Sequence, residues 1–175
     1  MTREQRALVA EIRAKGRRLE GYAATFGTEA RIEDFSEIIA PGAFRDSIDR
    51  GRDVLALVDH DARRVLARTR SGTLRLSEDS RGLAFDLDLP DTSYGRDVLA
   101  LAERGDVGGM SFAFTVDPSG EEWRGDRREL RSVTLHEISV VSAWPAYDGT
   151  IVHARHRGLA LPPRLAAARK WMESL

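Results

Sequence analysis

The stretch Val133–Val141, VTLHEISVV, decides how the rest of this chain is to be read. It is rich in β-branched residues and apolar at positions of both parities, the pattern of a strand covered on both faces. One carboxylate, Glu137, sits inside it. A carboxylate buried among apolar side chains is expensive unless partnered, so Glu137 should have a partner.

Upstream, GGMSFAFTV (residues 108–116) reads as a second strand. If it starts near Met110, then Ser111, Ala113 and Thr115 share one face while Phe112, Phe114 and Val116 take the other. The small face would line a cleft and the aromatic face would seal a core. Gly108 and Gly109 let the backbone approach another chain closely or take up positive φ, leaving the Ser111 hydroxyl reachable.

Before that strand, Tyr94, Val98, Leu101 and Ala102 recur at helical spacing, with Asp91, Thr92 and Ser93 as cap candidates and Gly105 as a stop. Further strands are expected in LEGYAATFG, in the run before the Pro41-Gly42 turn of SEIIAPGAF, and in DVLALVDH. Two more are expected in TLRL and the alternating LAFDLDL. PSGEEWRGDRREL looks like a polar hairpin. Leu8, Val9 and Ile12 fall at helical spacing, so residues 1–17 read as a short helix or an arm. The alanine-rich end after Pro162-Pro163 reads as a terminal helix. The fold expected from these elements is mainly β with helices (α+β): a β-barrel or strongly bent sheet with helices packed outside.

Composition narrows the function classes. The 175 residues carry 27 basic and 28 acidic side chains, a net charge of -1 that gives general nucleic-acid binding no support. Charged residues make up 31% and hydrophobic ones 42%, the balance of a soluble globular chain. The absence of cysteine excludes disulfides, thiolate-bound zinc and a cysteine nucleophile. The charged N-terminus lacks the apolar core of a secretory signal, and no run approaches the roughly 20 apolar residues that span a bilayer. A soluble, intracellular protein is expected. Lysine occurs only at Lys15 and Lys170, so nearly all basic charge is arginine, a mark of coding bias rather than function.

Three residues could carry chemistry. His60 closes the apolar strand of LVDHD, where a scaffold can present a side chain to a cleft, although His60 taken alone reads first as a strand-end histidine bonded to Asp59 or Asp61. Ser111 could be a nucleophile or a small residue filling a tight spot. Glu137 could orient a histidine base or form an ion pair with an arginine, while its neighbour His136 points the other way. Serine, histidine and carboxylate together make a complete set for acyl transfer. Asp59, His60 and Asp61 could also be offered as a metal site, but without a recognisable ligand spacing. His153 and His156, in the arginine-rich HARHRG, read as solvated surface.

In their order, EGYAATFG, EIIAPGAF, LVDHD, RGLAFDLDLP, GDVGGMSFAF and LHEISVVSAWPAY resemble the prohead (capsid maturation) serine proteases of HK97-like tailed phages, which are related in fold to the herpesvirus assemblins. The resemblance covers roughly residues 18 to 155. It implies a closed, mostly antiparallel β-barrel of the assemblin type ringed by a few helices. It implies residues 18–155 as the protease domain, flanked by the arm or helix of residues 1–17 and by residues 156–175, a tail or helix that departs from the family's motifs and could be removed or used for docking. By the same resemblance, Ser111 is the nucleophile, His60 the base and Glu137 the third member, with His136 the alternative.

The implied activity is that of a serine endopeptidase needing no metal or organic cofactor. It would cut the scaffolding segment from the major capsid protein precursor, and also itself, inside the assembling prohead in the host bacterial cytoplasm. The capsid precursor and further copies of the chain would be its partners, with neither nucleic acid nor membrane. The loop SAWPAY, where oxyanion donors would be sought, contains Pro145, which has no N–H. Two other readings compete with this one: a catalytically idle capsid-assembly barrel, and a metal-dependent hydrolase built on Asp59, His60 and Asp61.

Overall fold

The computed structural model describes residues 2–8 and 12–142. The C-terminal segment, with its expected helix, His153, His156 and the SAWPAY loop from Ala143 onward, lies outside the described residues. No helix among those described is long and apolar enough to cross a membrane.

The strands, numbered in chain order, form three sheets. The first runs β1 (Glu4–Leu8), β10 (Gly109–Val116), β13 (Val133–Val141), β6 (Leu55–Val58), β7 (Asp61–Arg68). The second runs β11 (Glu121–Arg124), β12 (Arg127–Leu130), β5 (Phe35–Ile39), β4 (Ala30–Ile32). The third runs β2 (Ile12–Lys15), β3 (Arg18–Thr25), β9 (Gly82–Asp88), β8 (Leu74–Glu78). Pairing is antiparallel except between β13 and β6 and between β12 and β5.

The expected closed barrel is not what forms. The fold is mostly β with few helices, but among the described residues β1 and β7 remain the edges of the first sheet, and no sheet closes on itself. Closure requires the two edge strands of a sheet to find each other with a consistent stagger. Alternating hydrophobicity specifies which face of a strand is buried, not which edges meet. Residues 4–8 and 12–15, expected as a helix or arm, are strands. The helical spacing of Leu8 and Ile12 is overridden because β1 finds a ladder partner in β10, with Ala7 opposite Ser111.

The core lies between the first and third sheets. Met110, Phe112, Phe114, Leu135, Ile138 and Val140 from one side meet Leu19, Leu83, Phe85 and Leu87 from the other. Phe44, in the turn after Pro41-Gly42, packs edge-on against Phe112 with ring centroids 5.4 Å apart. Helix α2 (Ser93–Arg104) starts where the sequence indicates: the Thr92 side chain accepts from the Gly95 N–H, and Gly105 ends the helix at φ 77. A shorter helix, α1 (Arg45–Asp49), follows Phe44.

β13 is buried on both faces, as its composition requires, but not by simple alternation. Phe114 pairs with Leu135 and Ala113 with Glu137, so His136 is an extra residue in β13, a β-bulge. Before it, Val133 and Leu135 face the core; after it, Ile138 and Val140 do. Without the bulge, Glu137 would share the face of Leu135 and point into the core. With it, Glu137 and Ser139 turn to the opposite face, beside Ala113 and Ser111.

Candidate active site

Ser111, Ser139 and Glu137 occupy one face of the paired strands β10 and β13, with Ser111 directly opposite Ser139. All three are buried; Ser111 is 1% exposed and Glu137 4%. β6 runs parallel to β13, with Leu57 beside Ser139 and Val58 beside Val140. The chain then reverses over the end of β13 through Asp59 and His60, since Val58 pairs with Asp61.

This reversal is unusual in its residues. Two-residue hairpins favour turns with positive φ at both central positions, which is why Asn-Gly dominates there. Here the two positions are Asp59, φ 49, and His60, φ 60. Left-handed conformations in non-glycine residues cost on the order of 1–3 kcal/mol each and persist where the surroundings hold them. β13 and the residue that follows it, Ser142, supply that hold. The Asp59 N–H donates to Val140 O at 3.0 Å, and its carboxylate accepts from the Ser142 N–H at 2.8 Å and the Ser142 hydroxyl at 2.9 Å. The His60 N–H donates to Ser139 Oγ at 3.3 Å.

The turn sets the imidazole against Glu137, with His60 Nδ1 in close hydrogen-bond contact with Glu137 Oε1. The other carboxylate oxygen, Oε2, accepts from Arg3 Nη2 at 2.6 Å. Both readings of Glu137 are therefore present together, as ion-pair partner and as histidine partner. A neutral imidazole that donates from Nδ1 keeps its free lone pair on Nε2, away from the carboxylate. His136 goes elsewhere: its Nε2 lies 3.1 Å from Thr115 Oγ1. Burial, with the charges of Arg3 and Arg52, holds its pKa below the ordinary 6.5.

Ser111 is on the same face, but its hydroxyl donates to the carbonyl of Arg6 in β1 at 2.7 Å. A hydroxyl has one hydrogen, so in this arrangement Ser111 does not donate to His60. Ser111 is itself buried rather than open to solvent. The expected two-faced strand does form, with Phe112 and Phe114 in the core behind it.

The side chains of the alternative metal trio are committed separately. Asp59 holds Ser142 and His60 meets Glu137, while Asp61 accepts from the Arg63 N–H and from Arg64 Nε. Among the described residues no three histidine or carboxylate side chains converge on a metal position.

Four residues of this site escape a motif-by-motif reading: Asp59 in its partner role, Ser139, Arg3 and Arg6, whose contribution is a backbone carbonyl. The bulge did leave a trace, because apolar positions 133 and 135 give way to 138 and 140, a slip of one in the alternation.

The chain matches the caudovirus prohead serine protease family over residues 6–162, which include every element that builds this face of the first sheet after Gln5. The chain belongs to that family. Its activity class is accordingly that of a capsid-maturation serine protease, acting inside the assembling prohead, where it interacts with capsid protein. No curated protein and no solved structure matches the chain significantly.

Proposed function

We propose that the chain is a serine endopeptidase in which Ser111 is the nucleophile, His60 the general base and acid, and Glu137 the carboxylate that orients the imidazole. The observation that carries this reading is the contact of His60 Nδ1 with Glu137 on the sheet face that also bears Ser111. Glu137 holds the tautomer with its proton on Nδ1, and Nε2 is left to take a proton.

In the reaction, the Ser111 side chain rotates from Arg6 O to another staggered position and its hydroxyl turns to Nε2. Oγ attacks the peptide carbonyl as Nε2 takes its proton. The imidazolium is stabilised by Glu137, and Nε2 then protonates the leaving amine. Water, deprotonated by the same nitrogen, hydrolyses the acyl-enzyme and restores the serine. Every proton moves between Ser111, His60, water and substrate, so this chemistry calls for no metal or organic cofactor. The hydroxyl's bond to β1 is a resting arrangement that substrate binding replaces.

The proposed substrate is the scaffolding segment of the major capsid protein precursor, together with the chain itself, cut by self-associated copies within the prohead in the bacterial host cytoplasm. Family membership supports this choice of substrate. Co-expression with the cognate capsid precursor tests it: wild type shortens the precursor and Ser111→Ala leaves it full length. Shortening by Ser111→Ala would remove Ser111 from the mechanism.

A further inference from the structure

We propose that Asp59 is a positioning residue of this site, one that sets the His60 imidazole against Glu137 by pinning a strained turn to the end of β13. The inference rests on the reading of His60 as the base, and it goes beyond that reading by giving a role to a residue outside the Ser, His and carboxylate set.

Three observations converge on Asp59. It is one of the two left-handed non-glycine residues of the turn that presents His60, at φ 49 and 60. Its carboxylate is gripped at both oxygens by Ser142, through the backbone N–H at 2.8 Å and the hydroxyl at 2.9 Å. Its own N–H is fixed to Val140 O at 3.0 Å. β13, from positions 137, 139 and 140, and Ser142 just after it therefore hold the turn, and only the grip at 142 passes through the Asp59 side chain.

A hairpin needing only to reverse direction would use glycine at such positions, where positive φ is free of strain. A turn made of Asp and His instead must be held, and the strength of the hold determines how far the imidazole can wander. Displacements of about 1 Å in a catalytic group lower rates by up to about 100-fold. Asp59 touches neither Ser111 nor Glu137 in this arrangement, so its effect reaches the chemistry through the backbone of His60. Among the described residues its carboxylate also meets Arg64 Nη2 at 3.4 Å, from the following strand.

The test uses the full chain and two variants that separate positioning from folding. Asp59→Gly relaxes the backbone strain and removes the grip. Asp59→Asn keeps an oxygen for the Ser142 N–H in a residue that tolerates the left-handed conformation. The first readout is the far-downfield proton resonance of the hydrogen-bonded imidazole, assigned by its loss in Glu137→Gln. The second is the rate at which a fluorophosphonate probe labels the chain, and the third is the thermal midpoint.

In Asp59→Gly the resonance should broaden or vanish and labelling should slow by about 10- to 100-fold, with the thermal midpoint unchanged or raised. Asp59→Asn should recover both resonance and rate. Ser142→Ala, which removes only the hydroxyl half of the grip, should show a smaller loss in the same direction. Wild-type resonance and labelling rate in Asp59→Gly would overturn the inference, as would an Asp59→Asn variant that falls as far as Asp59→Gly. If the probe attaches to a residue other than Ser111, the proposed nucleophile fails, and the imidazole resonance still decides the role of Asp59.

Discussion

Two polar clusters, each built around a buried carboxylate, flank the first sheet, and they are finished in opposite ways. One ties β1 to the second sheet: Arg6 forks onto Glu37 at 2.6 and 2.8 Å, and Arg128 forks onto Glu4 at 2.6 and 2.9 Å. Arg6 also reaches Glu4, and Arg128 also reaches Glu37 and Glu121. Every carboxylate oxygen of Glu4 and Glu37 has a guanidinium partner, and Arg6 lies over the Phe114 ring, 5.2 Å from its centroid. The other cluster is Glu137 with Arg3 and His60. There both carboxylate oxygens are also satisfied, but the last member is an imidazole whose second nitrogen faces away from the carboxylate. A saturated cluster fixes structure; one that ends in a titratable lone pair can move a proton.

The sharpest way to break this comparison is to remove the proposed nucleophile. Ser111→Ala should lower precursor cleavage by about 10⁶-fold, as loss of a serine nucleophile does elsewhere. It removes one buried hydrogen bond, to Arg6 O, so stability should fall by only about 1 kcal/mol in denaturant unfolding. A large loss of stability with cleavage retained would place Ser111 among the structural residues.

Next comes the orienting carboxylate. Glu137→Gln should lower the cleavage rate by about 10⁴-fold, by favouring the wrong imidazole tautomer. His136→Gln should have a far smaller effect, because His136 contacts Thr115 rather than His60. The reverse order in the two rates would transfer the third role to His136.

For the saturated cluster the expected loss is in stability. Glu37→Ala removes the carboxylate onto which Arg6 forks and one of those that Arg128 contacts, leaving Arg6 with Glu4 and Arg128 with Glu4 and Glu121, and should cost up to about 3 kcal/mol of unfolding free energy. Cleavage per folded molecule should change less than in Glu137→Gln. An unchanged unfolding midpoint would mean that the cluster does not hold β1.

The smallest effect is the pH dependence. Burial pushes the Glu4 carboxyl up, but the hydrogen bond from Arg128 and the charges of Arg6 and Arg128 outweigh it and hold its pKa below the ordinary 4.5. A depressed carboxyl contributes stability that is fully present above the unfolded value and lost as pH falls through the folded one. Unfolding free energy should therefore decline below about pH 4.5, and Glu4→Gln should flatten that decline. An acid limb as steep in Glu4→Gln as in wild type would assign it to other carboxylates.

The legible parts of the sequence were those set by local chemistry. The helix Ser93–Arg104 could be read from its apolar spacing, Thr92 cap and Gly105 stop, and the two-faced burial of VTLHEISVV from its composition. The pairing of β10 with β13 was not legible in this way, nor was the separation into three sheets, because edge partners lie far apart in the chain. The N-terminal strands were misread for the same reason: what makes β1 a strand is β10, about a hundred residues away.

At the site, Ser111, His60 and Glu137 were legible as residue types and motif positions. The contacts around them were not. The positive-φ turn at Asp59 and His60 carries no glycine to announce it, and the hydroxyl of Ser111 finds a backbone carbonyl, which no side-chain motif encodes. The bulge at His136 lay in plain view as a broken alternation, and it is what turns Glu137 away from the core toward His60.

The proposed chemistry comes down to one residue bearing a nucleophilic oxygen. The most direct measurement is peptide mapping by mass spectrometry after reaction of the full chain with a fluorophosphonate. A single adduct on Ser111, lost in His60→Ala, is the predicted result. An adduct on Ser139 or another serine, or labelling of Ser111 that is as fast without His60, would contradict it.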